Sequence, residues 1–71
     1  MTWEEAKAKL QKERPGEHQT VTYGITTTSE GREEEYCELY VSKVGIIKAG
    51  TWEQCFELLA NGRKVVSEQG P

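Results

Sequence analysis

Two short stretches alternate apolar and polar residues, Val21-Thr22-Tyr23-Gly24-Ile25 and Tyr36-Cys37-Glu38-Leu39-Tyr40-Val41. A period of two marks a β-strand with one buried face, because successive side chains leave a strand on opposite sides. Val21, Tyr23 and Ile25 form the apolar set of the first stretch, with Thr20, Thr22, Gly24 and Thr26 facing the other way. The threonines suit a strand: branching at Cβ stiffens the side chain, and that face tolerates water. In the second stretch Cys37, Leu39 and Val41 are the inward set, with Tyr36, Glu38 and Tyr40 outward. The polar run from Thr26 to Glu35 contains Ser29, Glu30 and Gly31 and reads as a hairpin loop, Glu33-Glu34-Glu35 opening the second strand. Charge at that point is expected to guard a sheet edge against further pairing.

A sheet with one apolar face needs a cover, and the flanking segments supply two helices. Thr2 followed by Trp3, with Glu5 at the third helical position, is a capping box: the hydroxyl accepts from one unpaired amide and the carboxylate from another. Glu4 and Glu5 suit the positive end of the helix dipole, and Lys9, Lys12 and Arg14 the negative end. Trp3, Ala6 and Leu10 make a narrow apolar stripe, and Pro15-Gly16 ends the helix, which is predicted over 3–13. Thr51-Trp52-Glu53-Gln54 repeats the capping pattern, with Trp52, Cys55, Phe56 and Leu59 as a broader stripe and Asn61-Gly62 as the stop. Between sheet and second helix, Ser42-Lys43-Val44-Gly45 reads as a tight turn into a short third strand, Ile46-Ile47-Lys48-Ala49. One long strand bulged at Gly45 is the alternative. Val65-Val66 fits a further edge strand or a segment docked on the core, and residues 67–71 a flexible tail after a single domain over 1–66.

The expected architecture is therefore α+β, ordered α-β-β-β-α, with a small antiparallel sheet of about three strands and two helices on one face. With 71 residues there is room for one small core. A domain of this size buries only about 60% of the surface its unfolded chain exposes, so a partner subunit is one of the usual aids to stability.

A net charge of −3 opposes nucleic acid and anionic membranes, and the nearest approach to a basic cluster is Arg63-Lys64. The longest apolar run, Val44 to Ala49, is broken by Gly45 and Lys48, and the N-terminus lacks the basic and apolar parts of a signal peptide. The expected compartment is the cytoplasm, where Cys37 and Cys55 stay reduced.

Sites of chemistry are sparse. His18 is the sole histidine and there is no Asp, so neither a histidine metal cluster nor the ligand spacing of a Ca²⁺ loop can be assembled, and no cofactor is expected. Cys37 and Cys55 fall on inward faces, where free cysteine packs as a small hydrophobe. Cys55, in the first turns of the second helix, is the better placed of the two as a nucleophile. Isolated Gly45 and Gly50 build no phosphate loop. The acid run at Glu33–Glu35 reads as solvated strand, or as a patch for a basic partner. Tyr36, Glu38 and Tyr40 are the strongest interface candidates, since they share the sheet face opposite the helices and tyrosine contributes large contact area at low entropic cost.

The helix-strand-strand-strand-helix order resembles that of the double-stranded-RNA-binding domain, which implies the same arrangement of helices on one sheet face. That family carries basic residues at the start of its second helix, where this chain has Trp52, Glu53 and Gln54. The expectation is a small non-catalytic protein-interaction or accessory module, such as an inhibitor or regulator encoded by a mobile element. It would act as a homodimer, through the open sheet face or an edge strand, or with one protein partner. A nucleic-acid-binding module of that topology is the alternative.

Overall fold

A computed structural model describes residues 1–62; the expectations for Arg63-Lys64, for Val65-Val66 and for the tail fall outside the described residues. The chain runs α1 (Trp3–Glu13), β1 (Gln19–Thr27), β2 (Glu33–Val41), β3 (Gly45–Ala49) and α2 (Trp52–Ala60). The three strands form an antiparallel sheet in the order β1-β2-β3, and both helices lie on one face of it.

Local chemistry sets the helix ends. Thr2 Oγ1 accepts from the Glu5 amide at 3.1 Å, and the Glu5 carboxylate accepts from the Thr2 amide at 2.9 Å, so the first box is complete. At α2, Thr51 Oγ1 accepts from the Gln54 amide at 3.1 Å. The end of α1 has a cap that does not show in its own sequence. Gln19, the first residue of β1, turns its amide back to donate to the Arg14 carbonyl at 2.6 Å and the Leu10 carbonyl at 3.4 Å. The Leu10 carbonyl also accepts from the Arg14 amide at 2.9 Å, whereas the Arg14 carbonyl lies past the last helical bond and takes its partner from this side chain.

The register places Val21 opposite Leu39 and Tyr23 opposite Cys37, and then Leu39 opposite Ile47 and Cys37 opposite Ala49. Paired residues share a face, so the inward sets expected for β1 and β2 do lie together. The core is built there: Leu39, Val41, Ile47, Leu10, Ala6 and Cys55 are fully buried, with Cys37, Ala49, Trp52, Phe56 and Leu58 close behind. In α2 it is Leu58 that is buried, while Leu59 is only half-buried. The first helix contributes Ala6 and Leu10; Trp3, read as part of the stripe, is 42% exposed.

Three expectations about the hairpin are corrected. The loop is shorter than Thr26–Glu35, because pairing continues to Thr27 opposite Glu33. A compact turn closes it, with Thr28 N–H donating to Arg32 O at 2.8 Å, Gly31 N–H to Thr28 O at 2.9 Å, and Gly31 at φ +86°. That backbone conformation suits glycine because it has no Cβ to clash. Second, the glutamates do not guard an edge. Among the described residues β2 is the central strand, and the edges are β1 and β3. Third, Tyr23 and Ile25 point to the helix side yet stay 46% and 56% exposed. Lengths explain it. Nine strand residues span about 30 Å at about 3.3 Å each, whereas the eleven residues of α1 span about 16 Å and the nine of α2 about 14 Å.

The turn at Val41–Val44 and the pairing of Val41 with Gly45 make β3 a separate strand, as expected of the two readings, starting one residue early. Each element packs on its neighbour in the chain: α1 on β1, β1 on β2, β2 on β3, and α2 on β3 and β2.

Candidate functional site

The β1–β2 hairpin projects beyond the helices as an arm. The helix starts mark where cover ends. Met1 N and Glu53 Oε2 are 3.3 Å apart, which brings the starts of α1 and α2 together, and the Trp3 indole N–H donates to the Val21 carbonyl at 2.8 Å. A shallow cleft of about 220 Å³ lies at this junction, lined by Tyr23, Glu35, Cys37, Trp52 and Glu53 among others. Partial burial, and then the Glu35 carboxylate beside it, holds the Tyr23 phenol above its ordinary value.

The outer face of the arm and sheet carries the tyrosine row. Tyr36, Glu38 and Tyr40 are each half-buried, and the register puts them together on the face opposite the helices. All three are engaged by neighbours in the chain. The Tyr36 ring lies across Gly24, where an added Cβ would come within 2.5 Å of ring atoms, and Lys48 Nζ sits 4.5 Å above that ring. The Tyr40 ring meets His18 edge-on with centroids 6.0 Å apart, and Glu38 faces Lys48 across the β2–β3 pair. Ile46, on the same face, is 54% exposed. The result is a flat aromatic and polar plate.

The β1 edge is different, and sequence reading missed it. From His18 to Ser29 there is no Lys, Arg, Asp or Glu, although 30% of the chain is charged. Edge strands are ordinarily blunted by charge, proline or a bulge, because their unpaired backbone groups invite another strand. Here the glutamates at 33, 34, 35 and 38 sit on the central strand, and the nine-residue edge strand has neither charge nor proline. The other edge, β3, is five residues long and carries Lys48. Scanning for uncharged windows and then asking which strand is at the edge would have found β1.

The thiols sit inside the core. Cys55 Sγ donates to the Cys37 carbonyl at 3.3 Å, which places the two residues next to one another. Burial pushes the Cys55 thiol up to about 12, and the neighbouring Cys37 thiol acts in the same direction. Burial, followed by Glu35 and Glu53, also pushes the Cys37 thiol up. A nucleophilic thiolate needs the opposite shift and access to solvent, so this geometry supports packing. Among the described residues, no group of three or more His, Cys, Asp or Glu is placed to hold a metal ion, and no helix is long and apolar enough to cross a membrane.

No family model, no curated protein and no solved structure matches this chain.

Proposed function

We propose that the protein is a small non-catalytic interaction module whose docking element is the uncovered β1 side of the arm. The observation that carries this reading is that β1, an edge strand among the described residues, has neither charge nor proline and carries the exposed Tyr23 and Ile25. An open strand edge offers backbone hydrogen bonds to an incoming strand, and alternate side chains beside it offer apolar contact. The Tyr36, Glu38 and Tyr40 plate is the second surface such a partner would meet if it also folded over the sheet. A cytoplasmic accessory or inhibitor role in a mobile element, which size and acidity suggest, would use the same edge.

The nucleic-acid alternative finds less support. Tyrosines on an open sheet can stack bases, but Tyr36 is seated over Gly24, and the glutamates of β2 repel phosphate. Retention on duplex RNA that weakens steeply with salt would replace the present reading.

The test is photo-crosslinking in extract of the expressing cell. A photoreactive residue at Ile25 is expected to give protein adducts that disappear when Tyr23→Lys is added, while the same group at exposed Gln11 gives none. Equal yields at the two positions, or none at Ile25, would remove the proposal.

A further inference from the structure

We infer that the occupant of the β1 edge is a second copy of this chain, joined antiparallel about a two-fold axis at Ile25. This rests on the interaction reading and names its partner. The register follows from hydrogen bonding. Thr28 pairs with Arg32 and His18 with Ser42 through their backbones, so even-numbered β1 residues bond inward to β2. In an antiparallel ladder the alternate residues then turn N–H and C=O outward. Those are Gln19, Val21, Tyr23, Ile25 and Thr27. The Val21 carbonyl already accepts from the Trp3 indole at 2.8 Å, which ends the free edge. Among the described residues no strand pairs with this edge, and Tyr23, Ile25 and Thr27 remain, a triplet centred on Ile25.

A two-fold axis at Ile25 maps this triplet onto itself. Ile25 faces Ile25 of the second copy and Tyr23 faces Thr27 of the second copy, and each facing pair can exchange both backbone bonds. The side chains agree with the backbone: Ile25, 56% exposed, gains an apolar neighbour, and Tyr23, 46% exposed, packs beside a threonine. Charge agrees as well. No like charges face each other across the joint, since β1 has none. The acidic rows of the two β2 strands stand three strand spacings apart, about 14 Å, beyond the screening length of about 8 Å in physiological salt. An arm made to catch a basic strand would need its acids on β1, and they are on β2.

The joint is read by sedimentation of the full chain from low to high micromolar concentration, together with Ile25→Cys and Thr22→Cys. Facing α-carbons at the axis are about 5.5 Å apart, within disulfide range. Thr22 and its copy lie six residues apart along the joined strands, about 20 Å. Expected results are a concentration-dependent dimer, rapid oxidation of Ile25→Cys to a covalent dimer, and none for Thr22→Cys. Cys37 and Cys55 are buried and do not compete. Ile25→Pro should give a monomer with unchanged helical circular dichroism, because the N–H it deletes faces solvent in the single chain. Ile25→Lys serves as a second variant should proline disturb the strand. A monomer at every concentration, or equal linking at Thr22→Cys, overturns the self-pairing. A monomer that still gives adducts to another protein from Ile25 overturns self-pairing alone and leaves the interaction module standing; no adduct removes both.

Discussion

Leu39 and Ile25 are aliphatic residues on the same face of one sheet, so truncating each tests where the helices end. Leu39 is fully buried at the centre of the core. Leu39→Ala deletes hydrocarbon worth about 0.8 kcal/mol per methylene and leaves a cavity, for a total of about 2–5 kcal/mol. A domain at about 0.05–0.15 kcal/mol per residue has about 4–11 kcal/mol in all, so this variant stands near or past the edge of folding. Ile25 is 56% exposed, so Ile25→Ala should lose less than half of the transfer term and no cavity term, about 1 kcal/mol or less. Urea titration followed by far-ultraviolet circular dichroism reads both, at protein concentrations low enough to keep chains apart. The slope with urea should be unchanged. Equal costs in dilute protein would mean that the helices cover the arm, contrary to the lengths of strand and helix. A cost for Ile25→Ala that grows with concentration would instead measure the joint.

Tyr40→Ser should cost about 1 kcal/mol, the scale of one aromatic contact, far less than Leu39→Ala in the same titration; the reverse order would mean the strand register is inside out. Gly24→Ala should lose about 1 kcal/mol by forcing the Tyr36 ring from its seat, and that loss should vanish in a Tyr36→Ala background, as a double-mutant cycle would show. The Cys55 thiol ionises near 9 in an unfolded chain and at about 12 in the fold, so the unfolded state releases its proton first. Stability should therefore fall as pH rises above about 9, by up to about 1.4 kcal/mol per pH unit until about 12, and Cys55→Ala should flatten that slope in urea titrations. Thr2→Ala should cost about 0.5–2 kcal/mol through loss of the capping box, read as a lower urea midpoint.

Most of the fold was legible because its signals are local. The Thr2 and Thr51 caps, the Pro15-Gly16 stop and the alternation through Leu39 each act within a few residues, and the structure places them where the sequence does. Alternation tells which face a residue takes, but not how far a helix reaches along it, so Tyr23 and Ile25 lie on the expected face without the expected burial. The hairpin tip read as loop because its strands are solvated on both faces, so no period of two appears in Thr26–Thr27 or Glu33–Glu35. The charge at Glu33–Glu35 reads as an edge guard but lies on the central strand, because strand order depends on where β3 pairs, a long-range fact that no single strand carries. The Gln19 cap on α1 was invisible for the same reason.

The sequential packing of α1 on β1, β1 on β2, β2 on β3 and α2 on the last two strands has a kinetic meaning. The hairpin contacts join neighbours in the chain and can form before the Met1–Glu53 contact brings the two helix starts together. The hairpin turn at Thr28–Gly31 is closed by its own backbone bonds, and hairpins form in about 1–10 μs. An arm that forms first and is covered only at its base would present its open strand to other chains from the earliest moments of folding, before either helix has docked.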